Sequence, residues 1–181
     1  NWQSHRIKLA TLSAFQTGDA AIIDRARAAF RKQVAVNLYA DGSMFDFHDR
    51  DALHYVTYNL DPLMVAALAA QAHGEDWYAW TSPKGASLPR SLDWLSAYAR
   101  GEKTHIEFAR SKIQFDRDRA ASGQKEYAPH PWDVANAVGT YSLASLLDAR
   151  FLPLRDDLVR KSRKSPPLWT EILRASSTAA R

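Results

Sequence analysis

Cysteine is absent from the 181 residues, which excludes disulfide scaffolds, thiolate metal sites and thiol nucleophiles. That absence fits the periplasm and the cytoplasm equally. No run approaches the roughly 18 apolar residues of a spanning helix, so no membrane insertion is expected. Glycine is scarce, at seven residues. No phosphate-cradling glycine loop, zinc-finger spacing or RNP-type aromatic motif occurs. Strand signals are almost missing as well. Apolar residues make up 46% and charged residues 24%, which rules out wholesale disorder and leaves a chain long enough for one domain with a sizeable core.

The charge of +4, from 24 Lys and Arg against 20 Asp and Glu, leans towards an acidic partner. Much of the excess sits in RKSRK at 160–164, which reads as a solvated basic face rather than a nucleic-acid site. The chain opens at Asn1 without Met and runs straight into NWQSHRIKLATLSAF, which predicts that an N-terminal part of the parent protein is missing.

Helical periodicity organises the chain. A first helix is expected from about Ser4 to Phe15, with Ile7, Leu9 and Leu12 apolar. Asp19 is the expected N-cap of a second, whose stripe is Ile22, Ile23, Ala26, Phe30 and Val34, and DGS at 41–43 should stop it. A third is expected from about Asp51 to His73, ended by Gly74, with Pro62 predicting a kink or a fresh start. Pro89 opens and Gly101 follows a helix in SLPRSLDWLSAYARG. EKTHIEFARSKIQFDRDRAA reads as a polar helix and PHPWDVANAVGTYSLASLLDARF as a long apolar one opened by Pro131. PPLWTEILRAS reads as a last short helix, STAAR as a frayed end, and TSPKGASLP and GQKEYAPHP as rim loops. The architecture is therefore all-α, an array of antiparallel helical hairpins.

The third helix is the unusual one. At about 100° per residue, Leu53, Val56, Leu60, Leu63, Met64 and Ala67 form one apolar stripe. Asp51, Tyr55, Tyr58 and Pro62 fall opposite, flanked by His54 and Asn59. A surface helix would carry Lys and Glu there; this one carries phenols, an imidazole and an amide, groups that bind and move protons. The plain alternative is a helix buried on both sides with its hydroxyls satisfied. Similar chemistry gathers in NWQSHR, in FHDRDALHYVTYN (His48, Arg50, His54, Tyr55), in THIEF (His105, Glu107) and in YAPHPW (Tyr127, His130, Trp132). One such histidine is ordinarily a satisfied core residue, but four clusters that each pair His with an aromatic favour a site.

NWQSHRIKLATLSAF followed by ADGSMFDFHDRDALHYVTYNLDPLMVAALAA resembles the alginate lyase superfamily. Its members share an Asn-Asn-His helix start, a Gly-containing loop and an Arg-rich stretch leading into Leu-x-Tyr-x-x-Tyr. The likeness spans about residues 1–75, weakens through RSLDWL and PWD, and is strongest to members acting on glucuronan and related polyuronates. The resemblance implies an (α/α) toroid, of which residues 1–181 would be a C-terminal portion. It also implies β-elimination on an anionic uronic-acid polymer such as alginate or glucuronan, in a periplasmic or secreted protein. That chemistry needs a base for the C5 proton, neutralisation of the adjacent carboxylate and an acid for the departing oxygen.

Carried over by position, Tyr55 matches the catalytic tyrosine. Its phenol, with an ordinary pKa of about 10, is an acid at neutral pH and a base only beside a cation. Asn1 matches the first amide of the helix start, where an amide can donate to the carboxylate. Two departures stand out. Gln3 stands where the family has its histidine, with His5 two residues on; His48 stands where it has an arginine, with Arg50 two residues on. Either the donors have moved, or the substrate differs, or the chain is a non-catalytic relative; nearby His and Arg in both motifs favour the first.

The resemblance thus assigns Tyr55, His5, Arg50 and Asn1 as catalytic. Gln3, His48, His54, Asn59, His105, Trp2 and Trp132 follow as substrate-binding, with Trp80 a further stacking candidate. No metal or cofactor is assigned. The rivals are a non-catalytic domain that binds an anionic glycan, and a glycoside hydrolase on the same fold. Hydrolysis needs paired carboxylates, and among Asp51, Asp61 and Glu107 no pair stands out. Two geometric expectations follow. His5 or Gln3, Arg50 and Tyr55 should converge within roughly 10 Å, and the apolar stripe of residues 7–15 should lie exposed on the inside of an incomplete arc.

Overall fold

The computed structural model describes residues 1–179. Among these the chain is all-α, with two strands of two residues each. Helix α1 (Trp2–Thr17) gives way through Gly18 to α2 (Ala20–Asn37), whose N-cap Asp19 accepts from the Ile22 amide at 3.1 Å. A two-residue connector makes the chain double back, so α1 and α2 pack as a hairpin. Helix α2 ends four residues before DGS, because Leu38 turns extended and bridges to Met44. The short α3 (Phe45–Arg50) and α4 (Leu53–Ala72) follow.

Helix α4 is the spine. Leu53, Val56, Leu60, Leu63, Met64 and Ala67 are all fully buried, each large aliphatic contributing about 1.5–3 kcal/mol. The helix packs against α1 on one side and α7 (Ala137–Leu147) on the other, and α8 (Leu152–Ser162) and α9 (Leu168–Ala179) lie against α7. Pro62 sits inside α4 without ending it. Its missing N–H leaves the Tyr58 carbonyl without its helical donor, and His5 Nε2 supplies one from α1 at 3.2 Å. Helix α5 (Leu88–Ala99) carries Pro89 in its first turn, as expected, and is capped by Ser87, whose hydroxyl accepts from the Arg90 amide at 3.4 Å.

The sequence reading fails in four places, each for a tertiary reason. Asp51 is not on α4; it caps α3 in the left-handed region at φ 53. Residues 102–113 are not helical. The amides of Phe108, Arg110 and Lys112 bond to Asp51 O, Asp51 Oδ2 and Asp49 O, so helix α6 starts only at Gln114 (Gln114–Ala121). Pro131 opens no helix, because strand β2 (His130–Pro131) pairs antiparallel with β1 (Ile106–Glu107), and Asp133 then caps a 3-10 turn ahead of α7. Helix α8, which holds the start of the RKSRK stretch, has no counterpart in the sequence reading; Arg160, Lys161, Arg163 and Lys164 are exposed.

On α1 the buried face is Ile7, Thr11, Ala14 and Phe15, covered by this chain, while Leu9 and Leu12 are exposed. The expected open stripe at 7–15 is thus half closed. The STAAR stretch begins inside α9, and its last two residues lie outside the described residues.

Candidate active site

The face of α4 opposite the spine stripe opens at its first turn. That turn is held by a carboxylate distant in sequence: Glu107, 1% exposed, accepts from the amides of Leu53 (2.5 Å) and His54 (2.9 Å). Burial raises the Glu107 pKa, and the two amides oppose the rise. Leu53 and His54 lack intrahelical partners by their position, so Glu107 serves as the N-cap that Ala52 cannot be.

Tyr55 projects from this turn, half-buried. The Arg50 guanidinium lies 4.4 Å from the centre of its ring and donates through Nη1 to its hydroxyl at 3.3 Å. The same Nη1 pairs with Asp116, a buried carboxylate that also accepts from Ser111 Oγ at 2.8 Å. Asp116 on α6 therefore sets where Arg50 stands. Burial pushes the Tyr55 phenol up to about 12; Arg50 opposes the rise, and the Tyr127 hydroxyl adds to it. At neutral pH Tyr55 is a protonated acid. Beside it Phe108, at the unusual φ of 59 for a bulky residue, turns its ring edge to Tyr55 at 6.1 Å.

His54 stands between Tyr55 (5.2 Å) and Tyr58 (6.1 Å), and its ring nitrogens have no hydrogen bond among the described residues. Desolvation lowers its pKa below 6.5, and the charge of His130 lowers it further. At neutral pH it is a free imidazole base.

These groups wall a depression of about 300 Å³. Arg50 and Arg119 supply two guanidiniums and no carboxylate lines it. The remaining wall is aromatic (Trp2, Tyr58, Phe115, Tyr127), with Asn1 at one end. Arg119 lies between the rings of Phe115 (4.2 Å) and Tyr127 (4.8 Å), donates to the Tyr127 hydroxyl, and has no carboxylate partner among the described residues. A second depression of about 230 Å³ shares His54, Tyr55 and Tyr127 and continues past Glu107, Phe108 and His130.

Of the sequence candidates, Arg50, Tyr55, His54, Asn1 and Trp2 line the first depression, whereas neither His5 nor Gln3, expected to converge with Arg50 and Tyr55, does so. The other candidates stand elsewhere. Asn59 is enclosed rather than facing a sugar: its amide donates to Asn37 Oδ1 (2.5 Å) and its oxygen accepts from Ser4 Oγ. Ser4 in turn accepts from Gln33 (3.1 Å), and Asn37 reaches Asp46 (3.4 Å), to which the Asn1 amide also donates (3.2 Å). This buried chain ties α1, α2, α3 and α4 behind the site.

His5 is held against Tyr58, its ring tilted 39° to the phenol at 4.3 Å while Nε2 donates to the Tyr58 carbonyl. Gln3 is exposed on α1 and lines neither depression. His48 is drawn towards Ser43 (2.8 Å) and Tyr39. His105 is held behind the site, donating to Asp51 O at 2.9 Å. Trp132 is buried, and Trp80 lies under Arg31. Asp61 sits between α4 and α7, accepting from Thr140 at 2.7 Å. Among the described residues no group of three His, Asp or Glu is placed to hold a metal ion, and no helix is long and apolar enough to cross a membrane.

The residues that sequence reasoning missed are Arg119, Phe115 and Asp116, all on α6. Their only signal is the dense FDRDR of 115–119, which has the look of an ordinary polar helix.

The enclosed amide chain gives the first expected outcome. Asn59→Ala strands Asn37 and Ser4 in a buried setting, and it should lower unfolding stability by about 2–3 kcal/mol. Urea unfolding followed by circular dichroism reads this as a lower midpoint at unchanged slope. A loss under about 0.5 kcal/mol, typical of a neutral surface site, would show that the network carries no weight.

The family model for alginate lyase matches residues 1–105. No curated protein and no solved structure matches the chain. The matched span contains Asn1, Arg50, His54, Tyr55 and Tyr58, whereas α6 and Tyr127, which complete the depression, fall beyond it. Over more than half its length, and with this cluster of phenol, imidazole and guanidinium inside the match, the chain belongs to the alginate lyase family.

Proposed function

We propose that the protein is a polysaccharide lyase that cleaves a uronic-acid polymer by β-elimination at Tyr55. The observation that carries this reading is the meeting of a protonated phenol and a neutral imidazole on the wall of a depression with two guanidiniums and no carboxylate. A uronate laid there has its carboxylate near Arg119, whose charge is not spent on a carboxylate. Arg50, already paired with Asp116, holds the Tyr55 hydroxyl. His54 takes the C5 proton while the guanidinium side stabilises the enolate-like charge. Electrons move to form the C4=C5 double bond, the C4–O4 bond breaks, and Tyr55 protonates O4 as it leaves. The aromatic wall offers stacking surfaces for sugar faces.

Glycoside hydrolysis has weaker support. No carboxylate lines the first depression; of the two in the second, Glu107 has both oxygens bonded to backbone amides, which leaves Glu126 without a partner carboxylate to work with. The same reading places the row of α1, α4 and α7, with α2 and α8 outside it, in an (α/α) toroid. Because its substrate is a large polymer, it also places the protein in the periplasm or outside the cell.

The test follows the ultraviolet absorbance of the unsaturated product on alginate and glucuronan across pH. With His54 as the base, the acid limb of kcat/KM should have its midpoint below that of an ordinary histidine, because desolvation holds the imidazole neutral to lower pH. Tyr55 stays protonated until about pH 12, so it should cause no fall on the alkaline side below about pH 11. His54→Gln should remove the acid limb along with most of the rate. An acid limb that persists in His54→Gln would assign the base to another group. Binding of the polymer without any unsaturated product would favour the glycan-binding rival.

A further inference from the structure

We infer that the linkage cut at Tyr55 joins a uronate to a sugar without a carboxylate, so that the substrate is a polymer in which the two kinds alternate. The inference rests on the lyase reading and narrows it. It is carried by the two depressions that meet along the ridge of His54, Tyr55 and Tyr127. Among the described residues, the wall on the Arg50 and Arg119 side holds no carboxylate, and the wall on the other side holds no lysine or arginine.

The second side offers acceptors. His130 Nδ1 donates to Ala128 O at 2.8 Å, which leaves Nε2 with no protein partner among the described residues and open to a sugar hydroxyl. Glu126 is exposed and has no partner among the described residues. Asn136 completes the rim. Hydroxyl and amide hydrogens of a neutral sugar suit that wall. A second carboxylate does not, since it would meet Glu126 with no lysine or arginine on that wall to offset the repulsion.

The chemistry fixes which sugar goes where. The C5–H and C4–O4 bonds that break belong to the uronate, so the uronate occupies the arginine side. O4 departs attached to the neighbouring sugar and receives the Tyr55 proton, so that neighbour occupies the Glu126 side. In a homopolymer of uronates the neighbour always carries a carboxylate; in an alternating polymer it does not.

Two 4-linked glucuronate polymers separate these cases: a homopolymeric glucuronan, and an unsulfated chain alternating glucuronate with N-acetylglucosamine. With product absorbance as the readout, kcat/KM should be about tenfold or more higher on the alternating chain. Glu126→Gln removes one exposed charge and should narrow that gap by about two- to fivefold, less at high salt. Equal or faster cleavage of glucuronan or alginate, with no narrowing in Glu126→Gln, overturns the inference and leaves the lyase reading in place. No unsaturated product from any of the three polymers overturns both.

Discussion

Tyr55→Phe is expected to lower kcat by about 10²–10⁴-fold, the usual worth of a positioned general acid, with the fold left standing. Phe keeps the ring, so the Arg50 guanidinium retains an aromatic face at the site where it now lies 4.4 Å from the ring centre. The edge contact with Phe108 is retained as well. What is lost is one hydrogen bond, from Arg50 Nη1 at 3.3 Å, about 1 kcal/mol of stability. Steady-state rates of unsaturated-product formation, with circular dichroism as the control for folding, measure the two effects separately. If the hydroxyl acts only on the leaving oxygen, kcat and kcat/KM should fall together. A variant that keeps near wild-type turnover would remove Tyr55 from the chemistry.

The largest expected loss of stability lies outside the site, at Gly42. Its φ of 89 is left-handed, and a Cβ built there would stand 2.6 Å from Trp94 Cβ and closer still to the Arg90 carbonyl oxygen. Neither neighbour can yield, because both belong to α5, and Trp94 packs edge-on against Phe47 of α3 at 4.8 Å. Gly42→Ala therefore adds backbone strain of about 1–2 kcal/mol to overpacking of about 1–3 kcal/mol. Against a typical total of about 5–15 kcal/mol, that is enough to leave part of the population unfolded. Gly85→Ala is the matched control. Its φ is nearly the same, 87, but the new Cβ meets only Ala40 Cβ at an ordinary 3.5 Å. The difference between the two urea midpoints isolates the clash, and equal midpoints would refute it.

What could be read from the sequence follows the range of the interactions involved. The α4 stripe, the Asp19 cap and the Pro89 start of α5 all depend on residues within a few positions of one another, so periodicity and cap chemistry find them. Residues 102–113 and the strand at 130–131 escape such reading because their amides bond to Asp49, Asp51 and each other across the fold, and no local pattern records that. At the site, Tyr55, His54 and Arg50 stood out as unusual polar groups on or just before an apolar helix. Asn59 stood out for the same reason and was misread, because its partners Ser4 and Asn37 lie on two other helices. Arg119 had the opposite fault. Stacking between two rings has no sequence period, so a cation central to the depression looked like one more surface charge.

Glu107 reaches its helix from 54 residues down the chain, and this gives the protein an order of assembly. Residues 53–72 can coil early, from local contacts, but their first turn stays frayed until the segment around Glu107 docks. The acid and base proposed here sit on that turn, so their alignment should be among the last events of folding and among the first lost in partial opening. The amides of Leu53 and His54 are the natural reporters. Their hydrogen exchange should follow the docking of residues 105–131, while amides deeper in α4, such as that of Leu63, should exchange only with global unfolding.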